Sequence, residues 1–202
     1  MLDKIKSLSK QTLIYGTSTI IGRFLNFILV PFYTNVFPPS EYGIVAVIFA
    51  YIAFLNIIYS FGFEAGYFRF ASSGEIGDEK QNFSQPFFII LLNSILFSGI
   101  ILIFRGPISA LIDINNTPIL LYSAFILFFD AVALVPFAHL RLKNKAKLFA
   151  SIKLVNITVN VILNLLLILV FKWGLEAVFI SNLATSLLTV LLLTPVIVKN
   201  IT

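Results

Sequence analysis

The sequence predicts an all-α polytopic membrane protein with six transmembrane helices. Composition is the first observation: hydrophobic residues make up 59% of the 202 and charged residues only 11%, against roughly 25% charged in soluble domains. Mean hydropathy is +1.00. Second, six apolar stretches lie at about 11–36, 42–68, 84–104, 118–140, 149–171 and 175–198, each of the ~20 residues or more that a helix needs to cross a ~30 Å hydrocarbon core. Third, runs such as LNLLLILV lack the period-two alternation of barrel strands.

The same composition excludes several function classes. With no cysteine in the chain, disulfides and thiolate metal sites are ruled out. The net charge of +5 does not point to nucleic acid, because the lysines and arginines sit in short loops between apolar spans and no soluble basic domain exists. The N-terminal MLDKIKSLSK precedes a span too long for a signal-peptide core and without a small-residue cleavage site, so it is expected to be retained.

The first span, with its core from Thr12 to Phe37, carries Arg23 in its middle. A mid-helix arginine costs about 2.5–3.5 kcal/mol to insert and usually faces protein or a water-filled cavity. Thr12, Gly16, Thr19, Arg23 and Asn26 recur at helical spacing on one face. That face is either a cavity wall or a packing seam with Arg23 tied up in an ion pair.

The second span is expected to start after Pro38 and Pro39, with Ser40 as N-cap and Glu41 in the first turn. On it Asn56, Ser60 and Glu64 repeat every four residues. Ser84 before Pro86 and Thr117 before Pro118 mark the starts of the third and fourth spans. Between those two spans Gly106 to Asn116 reads as a short interfacial helix or a plain loop. The fifth span carries Asn156, Asn160 and Asn164, again on one face, as interhelical glue or as the wall of a hydrated path. In the sixth, Ser181, Thr185 and Thr189 read as a packing face. Pro31, Pro136 and Pro195 lie inside or near the ends of spans, where membrane helices tolerate kinks.

Loop charge sets the orientation. With the N-terminus in the cytoplasm, eleven lysines and arginines, from Lys4 to Lys199, fall inside and two, Arg105 and Lys172, fall outside. This bias predicts that both termini are cytoplasmic. Counting 1.5 Å per residue from the cytoplasmic flanks puts Arg23 about 20 Å and Asp130 about 16 Å deep, with Glu64 about 7 Å and Lys153 about 9 Å deep. Arg23 thus matches Asp130, and Glu64 matches Lys153, as charge pairs by depth. His139, the single histidine, is expected at the cytoplasmic end as a solvated or hydrogen-bonded side chain. No HExxH, GxSxG or glycine-rich phosphate loop is present, which argues against an enzyme. Glu75, Asp78 and Glu79 read as a solvated loop.

Three blocks, YGTSTIIGRFLNFILVPFYTNVFPPSEYG from Tyr15, YSFGFEAGYFRFAS from Tyr59 and FFDAVALVPFAHLRLKNKAKLFASIKLVNITVNVILNL from Phe128, resemble the polysaccharide-biosynthesis (oligosaccharide flippase) family. That family belongs with the multidrug and toxic-compound extruders and the lipid II flippase. The resemblance implies an alternating-access transporter of the bacterial cytoplasmic membrane, built from two bundles of about six helices. This chain corresponds to the amino-terminal bundle, its partner bundle being expected in the same chain of a longer protein or from a second copy. The implied cargo is a polyprenyl-pyrophosphate-linked oligosaccharide, met in a membrane-lipid setting. Arg23 is then the candidate for the pyrophosphate, since arginine meets phosphate oxygens with two parallel hydrogen bonds. Asn26, Asn156 and Asn160 are candidates for sugar hydroxyls or a coupling ion. Glu64 and Asp130 either carry protons or sodium or balance Arg23 and Lys153. No other cofactor is implied. A membrane-embedded enzyme of glycolipid assembly and a non-transporting structural subunit are the competing readings.

Overall fold

The computed structural model describes residues 16–17, 20, 29–73, 78–114 and 117–201. Every regular element among the described residues is helical. Residues 29–36 form the end of a helix. There follow α1 (Pro39–Ser60), α2 (Phe63–Ser73), α3 (Glu79–Ile103), the short α4 (Arg105–Leu111), α5 (Thr117–Leu142), α6 (Ala146–Leu165), a π-helical turn (Leu166–Val170) that continues α6, and α7 (Glu176–Asn200). Five helical stretches are long and apolar enough to cross a membrane: Pro39–Arg69, Glu79–Ile103, Pro118–Leu142, Ala146–Val170 and Glu176–Asn200. Together with the composition they make this a multi-pass membrane protein. Of the six spans expected, the first falls largely outside the described residues, and with it Arg23 and Asn26.

Where the ends of elements differ from expectation, local chemistry explains it. α1 begins at Pro39, not after Ser40, because proline at the first helical position lacks a donor that would be unpaired there anyway. The carbonyl of Pro38 takes the N–H groups of Glu41 and Tyr42, each at 3.0 Å. α3 starts at Glu79, five residues earlier than Ser84, because Asp78 and Gln81 supply a D-x-x-Q signal. The Asp78 N–H donates to Oε1 of Gln81 at 3.4 Å, the backward half of a capping box. Pro86 therefore lies inside α3, not in its first turn. Gly106 to Asn116 does begin as a helix, α4.

The second span is not one helix. Phe61 (φ 45°) and Gly62 (φ 67°) both adopt left-handed backbone and separate α1 from α2. Glycine bears this at no steric cost, whereas Phe61 is an uncommon occupant of the region.

α5 is the post of the bundle: α1, α2, α3, α4, α6 and α7 all pack on it. More than half of its apolar window, 56%, is buried, against 22% for α1 and α3. Small residues allow the close approach, as the buried Ala124, Ala131, Ala133 and Ala138 lie along α5. Ser98 of α3 donates to the Ala124 carbonyl at 3.0 Å, and the Tyr59 hydroxyl reaches Ser98 Oγ at 3.1 Å. Outward-facing positions are apolar too, such as Phe54, Ile57, Leu92 and Val198. A surface apolar on the outside is what lipid requires of a bundle.

Candidate functional site

Among the described residues, polar side chains of α5, α6 and α7 gather with Asn56 of α1 and Glu64 of α2 around one space. They enclose a cleft of about 520 Å³ lined by Asn56, Glu64, Asp130, Ala131, Ala133, Leu134, Phe137, Arg141, Phe149, Lys153, Asn156, Asn182, Thr185, Ser186 and Thr189. Three of the seven residues expected as a site line it as charged groups, Glu64, Asp130 and Lys153, and Asn156 joins them. Asn160 does not. It lines a separate cavity of about 280 Å³ with Leu29, Tyr33, Tyr42, Phe49 and Asn182.

Charge pairing differs from the depth matching. Glu64 is hydrogen-bonded and ion-paired to Nη2 of Arg141, not to Lys153. The arginine reaches across from the last turn of α5, and its guanidinium lies over the rings of Phe68, 5.3 Å from the centroid, and Phe149, at 5.9 Å. These rings fix a planar cation more readily than they would an ammonium on a flexible stem. The Nε of Arg141 is buried with no partner among the described residues. Lys153 instead sets its Nζ 4.3 Å from the centroid of Phe137, and no described carboxylate is in ion-pair contact with it. Asp130 accepts from Ser186 Oγ at 2.7 Å. A pairing of Asp130 with Arg23 lies outside the described residues.

The asparagine stripe divides by depth into two roles. At the buried end Asn164 accepts from the Tyr33 hydroxyl at 2.7 Å and donates to Asn160 Oδ1 at 3.1 Å and to the Asn160 carbonyl at 2.9 Å. Asn160 in turn donates to Thr185 Oγ1 at 3.3 Å. These bonds tie 29–36, α6 and α7 together, which is the glue role. At the cleft end Asn156 donates to the Thr185 carbonyl at 2.9 Å and Thr189 Oγ1 at 2.8 Å. Asn156 also lines the cleft. Ser181, Thr185 and Thr189 are buried, as expected of a packing face, and Thr185 and Thr189 also line the cleft.

In the same last turn of α5 as Arg141, His139 is buried and its Nδ1 meets the Tyr67 hydroxyl at 2.7 Å, with Phe83 edge-on to its ring. Glu79 pairs with Lys143 at 2.6 Å. Thus one of the three acidic residues placed in a solvated loop links the start of α3 to the end of α5. Sequence reasoning missed Arg141, Asn182 and Ser186. Arg141 had been counted as a loop cation, yet a carboxylate one turn deep at Glu64 is a signal for a partner that can reach inward from the boundary.

No curated protein and no solved structure matches the chain. A family model described as polysaccharide biosynthesis protein matches residues 34–201, which takes in every transmembrane helix described above and all the residues of the cleft; the chain belongs to that polysaccharide biosynthesis family.

Proposed function

We propose that the chain is one bundle of a two-bundle flippase that carries a polyprenyl-pyrophosphate-linked oligosaccharide from the cytoplasmic to the outer leaflet of the bacterial cytoplasmic membrane. The observation that carries this reading is the charged cleft within a membrane bundle of a polysaccharide-biosynthesis chain: Arg141, Lys153, Glu64 and Asp130 share it with amide and hydroxyl groups. Ionisable groups at membrane depth are expensive and face cavities that substrates or ions use. A pyrophosphate head group needs cationic donors shielded from lipid, and sugars need amides and hydroxyls. Lys153 lines the cleft, and among the described residues no carboxylate is in ion-pair contact with it, which supports a role in meeting an anion. Asn156, whose amide N–H groups go to Thr185 and Thr189, can accept from sugar hydroxyls, and Asn182, with one N–H on the Val178 carbonyl, can accept or donate. Arg23 and Asn26 enter the same reading from the sequence alone, on a polar face of the first span. Glu64 and Asp130 keep the cleft close to neutral when it is empty, or carry a coupling proton or sodium ion. The partner bundle, in a longer chain or from a second copy, would cover the open side.

The test is transport in cells that lack their own lipid-linked oligosaccharide flippase. Lys153→Gln and Arg23→Gln are expected to abolish delivery of the oligosaccharide to the outer leaflet while protein abundance and melting temperature stay at the parent's values. Lys153→Arg keeps the charge and should keep part of the activity. Full transport by both glutamine variants would contradict the reading.

A further inference from the structure

α2 is a short helix set off from α1 by two left-handed residues, and the contacts that hold it to α5 converge on the last turn of that helix. Glu64 pairs with Arg141, Phe68 stacks on the same guanidinium, and Tyr67 meets His139. The break itself is loosely surrounded: a Cβ on Gly62 or Gly66 would meet nothing within 4 Å. A wide-open groove of about 520 Å³ lies against the break, its wall including Ile57, Gly62, Ala65 and Phe68. Asn56, Glu64 and Leu134 line this groove and the charged cleft alike. These three side chains stand between the two spaces, and Glu64 is the one beside the left-handed backbone. Discontinuous membrane helices of this kind occur where the chain lines a cavity and moves.

Arg141 takes two of the α2 contacts, those of Glu64 and Phe68, while Tyr67 is held separately by His139 and Phe83. Glu64 engages one terminal nitrogen of the Arg141 guanidinium, while Nε is buried and has no partner among the described residues. A guanidinium beside two rings that gives one terminal nitrogen to a single carboxylate oxygen is a fork that a tetrahedral oxyanion can engage more completely than one carboxylate oxygen does. Lys153, on the same cleft, supplies a second cationic donor.

We propose that α2 is a lid hinged at Phe61–Gly62, and that its Glu64–Arg141 latch is opened by a phosphoryl anion that takes the Arg141 guanidinium in place of the Glu64 carboxylate. The lid half stands on the geometry of the break and the latch. The ligand half rests on the transport reading above. Released from Arg141, α2 swings about the two left-handed residues and joins the two spaces on either side of Glu64. A lid of this design opens when cargo is present and stays shut against water and small ions otherwise.

The absence of native cysteine makes a single reporter clean. Leu134→Cys, in liposome-reconstituted protein, is alkylated with a charged, membrane-impermeant maleimide. Breaking the latch with Glu64→Gln should raise the labelling rate about threefold or more, the scale of a half-exposed ion pair. The exchange Glu64→Lys with Arg141→Glu restores a pair of opposite charges and should bring the rate back down. Inorganic pyrophosphate should raise the rate in protein with the native pair and leave Glu64→Gln unchanged, with sulfate at equal ionic strength as the control. Circular dichroism melting identifies any variant that fails to fold, and the charge exchange then decides alone. An unchanged rate in folded Glu64→Gln, or a charge exchange that labels as fast as Glu64→Gln, overturns the lid. A fast Glu64→Gln with no response to pyrophosphate in the native pair overturns the anion trigger and leaves the lid. If the glutamine variants of Lys153 and Arg23 still transport while both labelling results hold, the transport reading fails and the latch stands.

Discussion

Replacing Asn164 by alanine removes the acceptor of the Tyr33 hydroxyl and the donor to Asn160 Oδ1, both in a fully buried position. The Asn160 carbonyl keeps its backbone partner in the helix, so the loss is two side-chain bonds. Interhelical bonds of this kind average about 0.6 kcal/mol and reach about 1.7 kcal/mol. Two buried groups are also left without partners, at about 1–3 kcal/mol each when neither finds another. Rotation of the Tyr33 hydroxyl and of the Asn160 amide recovers part of that, so Asn164→Ala should cost roughly 2–4 kcal/mol. Adding Tyr33→Phe removes one of the orphaned groups. The double variant should then be more stable than the sum of the singles by about 1 kcal/mol. Reversible unfolding in mixed micelles with rising sodium dodecyl sulfate measures all four corners of the cycle. A single variant within about 0.5 kcal/mol of the parent, or strict additivity, would refute the assignment of the buried asparagines to holding 29–36, α6 and α7 together.

Other outcomes follow from individual groups. Trp173, the single tryptophan, is half exposed beside Lys172, with the Phe171 ring 6.0 Å away. Its fluorescence should be quenched most by lipids brominated near the head group, as aromatic belts require; strongest quenching at the bilayer centre would contradict it. A cysteine at Asn144, in the turn between α5 and α6, should react with an impermeant reagent only from the cytoplasmic side, and labelling from outside intact cells would reverse the orientation. Asp130→Asn keeps an oxygen for the Ser186 hydroxyl, so its melting temperature should stay near the parent's while transport falls at least tenfold; wild-type transport would make Asp130 a bystander.

Helix type and the approximate limits of five of the six expected spans were legible from residue pattern because lipid requires long apolar stretches with internally bonded backbone. Thr117–Leu142 and Glu176–Asn200 fall within two residues of the expected limits at every end. The break at Phe61–Gly62 was hidden, since SFGF in an apolar run carries one glycine and no proline, and membrane helices accept single glycines without bending. Periodicity did identify faces: Asn56 and Glu64 still look into one space although the helix between them is interrupted. Pairing was harder to read. Depth brings Glu64 level with Lys153, but which helix stands beside which is a property of the whole bundle, and the post that brings Arg141 within reach of Glu64 is α5. Asn160 went to the glue role and not to the cleft because the turn of α6 that carries it faces 29–36 and α7.

The cleft as the path of the cargo is tested most directly by blocking it. Leu134→Cys is conservative in size, lies on the cleft wall and is the one thiol in the chain. Cells carrying it should deliver lipid-linked oligosaccharide to the outer leaflet at close to the parent rate before treatment. After reaction with a bulky maleimide, delivery should fall to the level of cells without the protein, and the cysteine-free parent given the same treatment should be unaffected. Undiminished delivery by fully modified Leu134→Cys protein would mean that the cargo does not pass through this cleft.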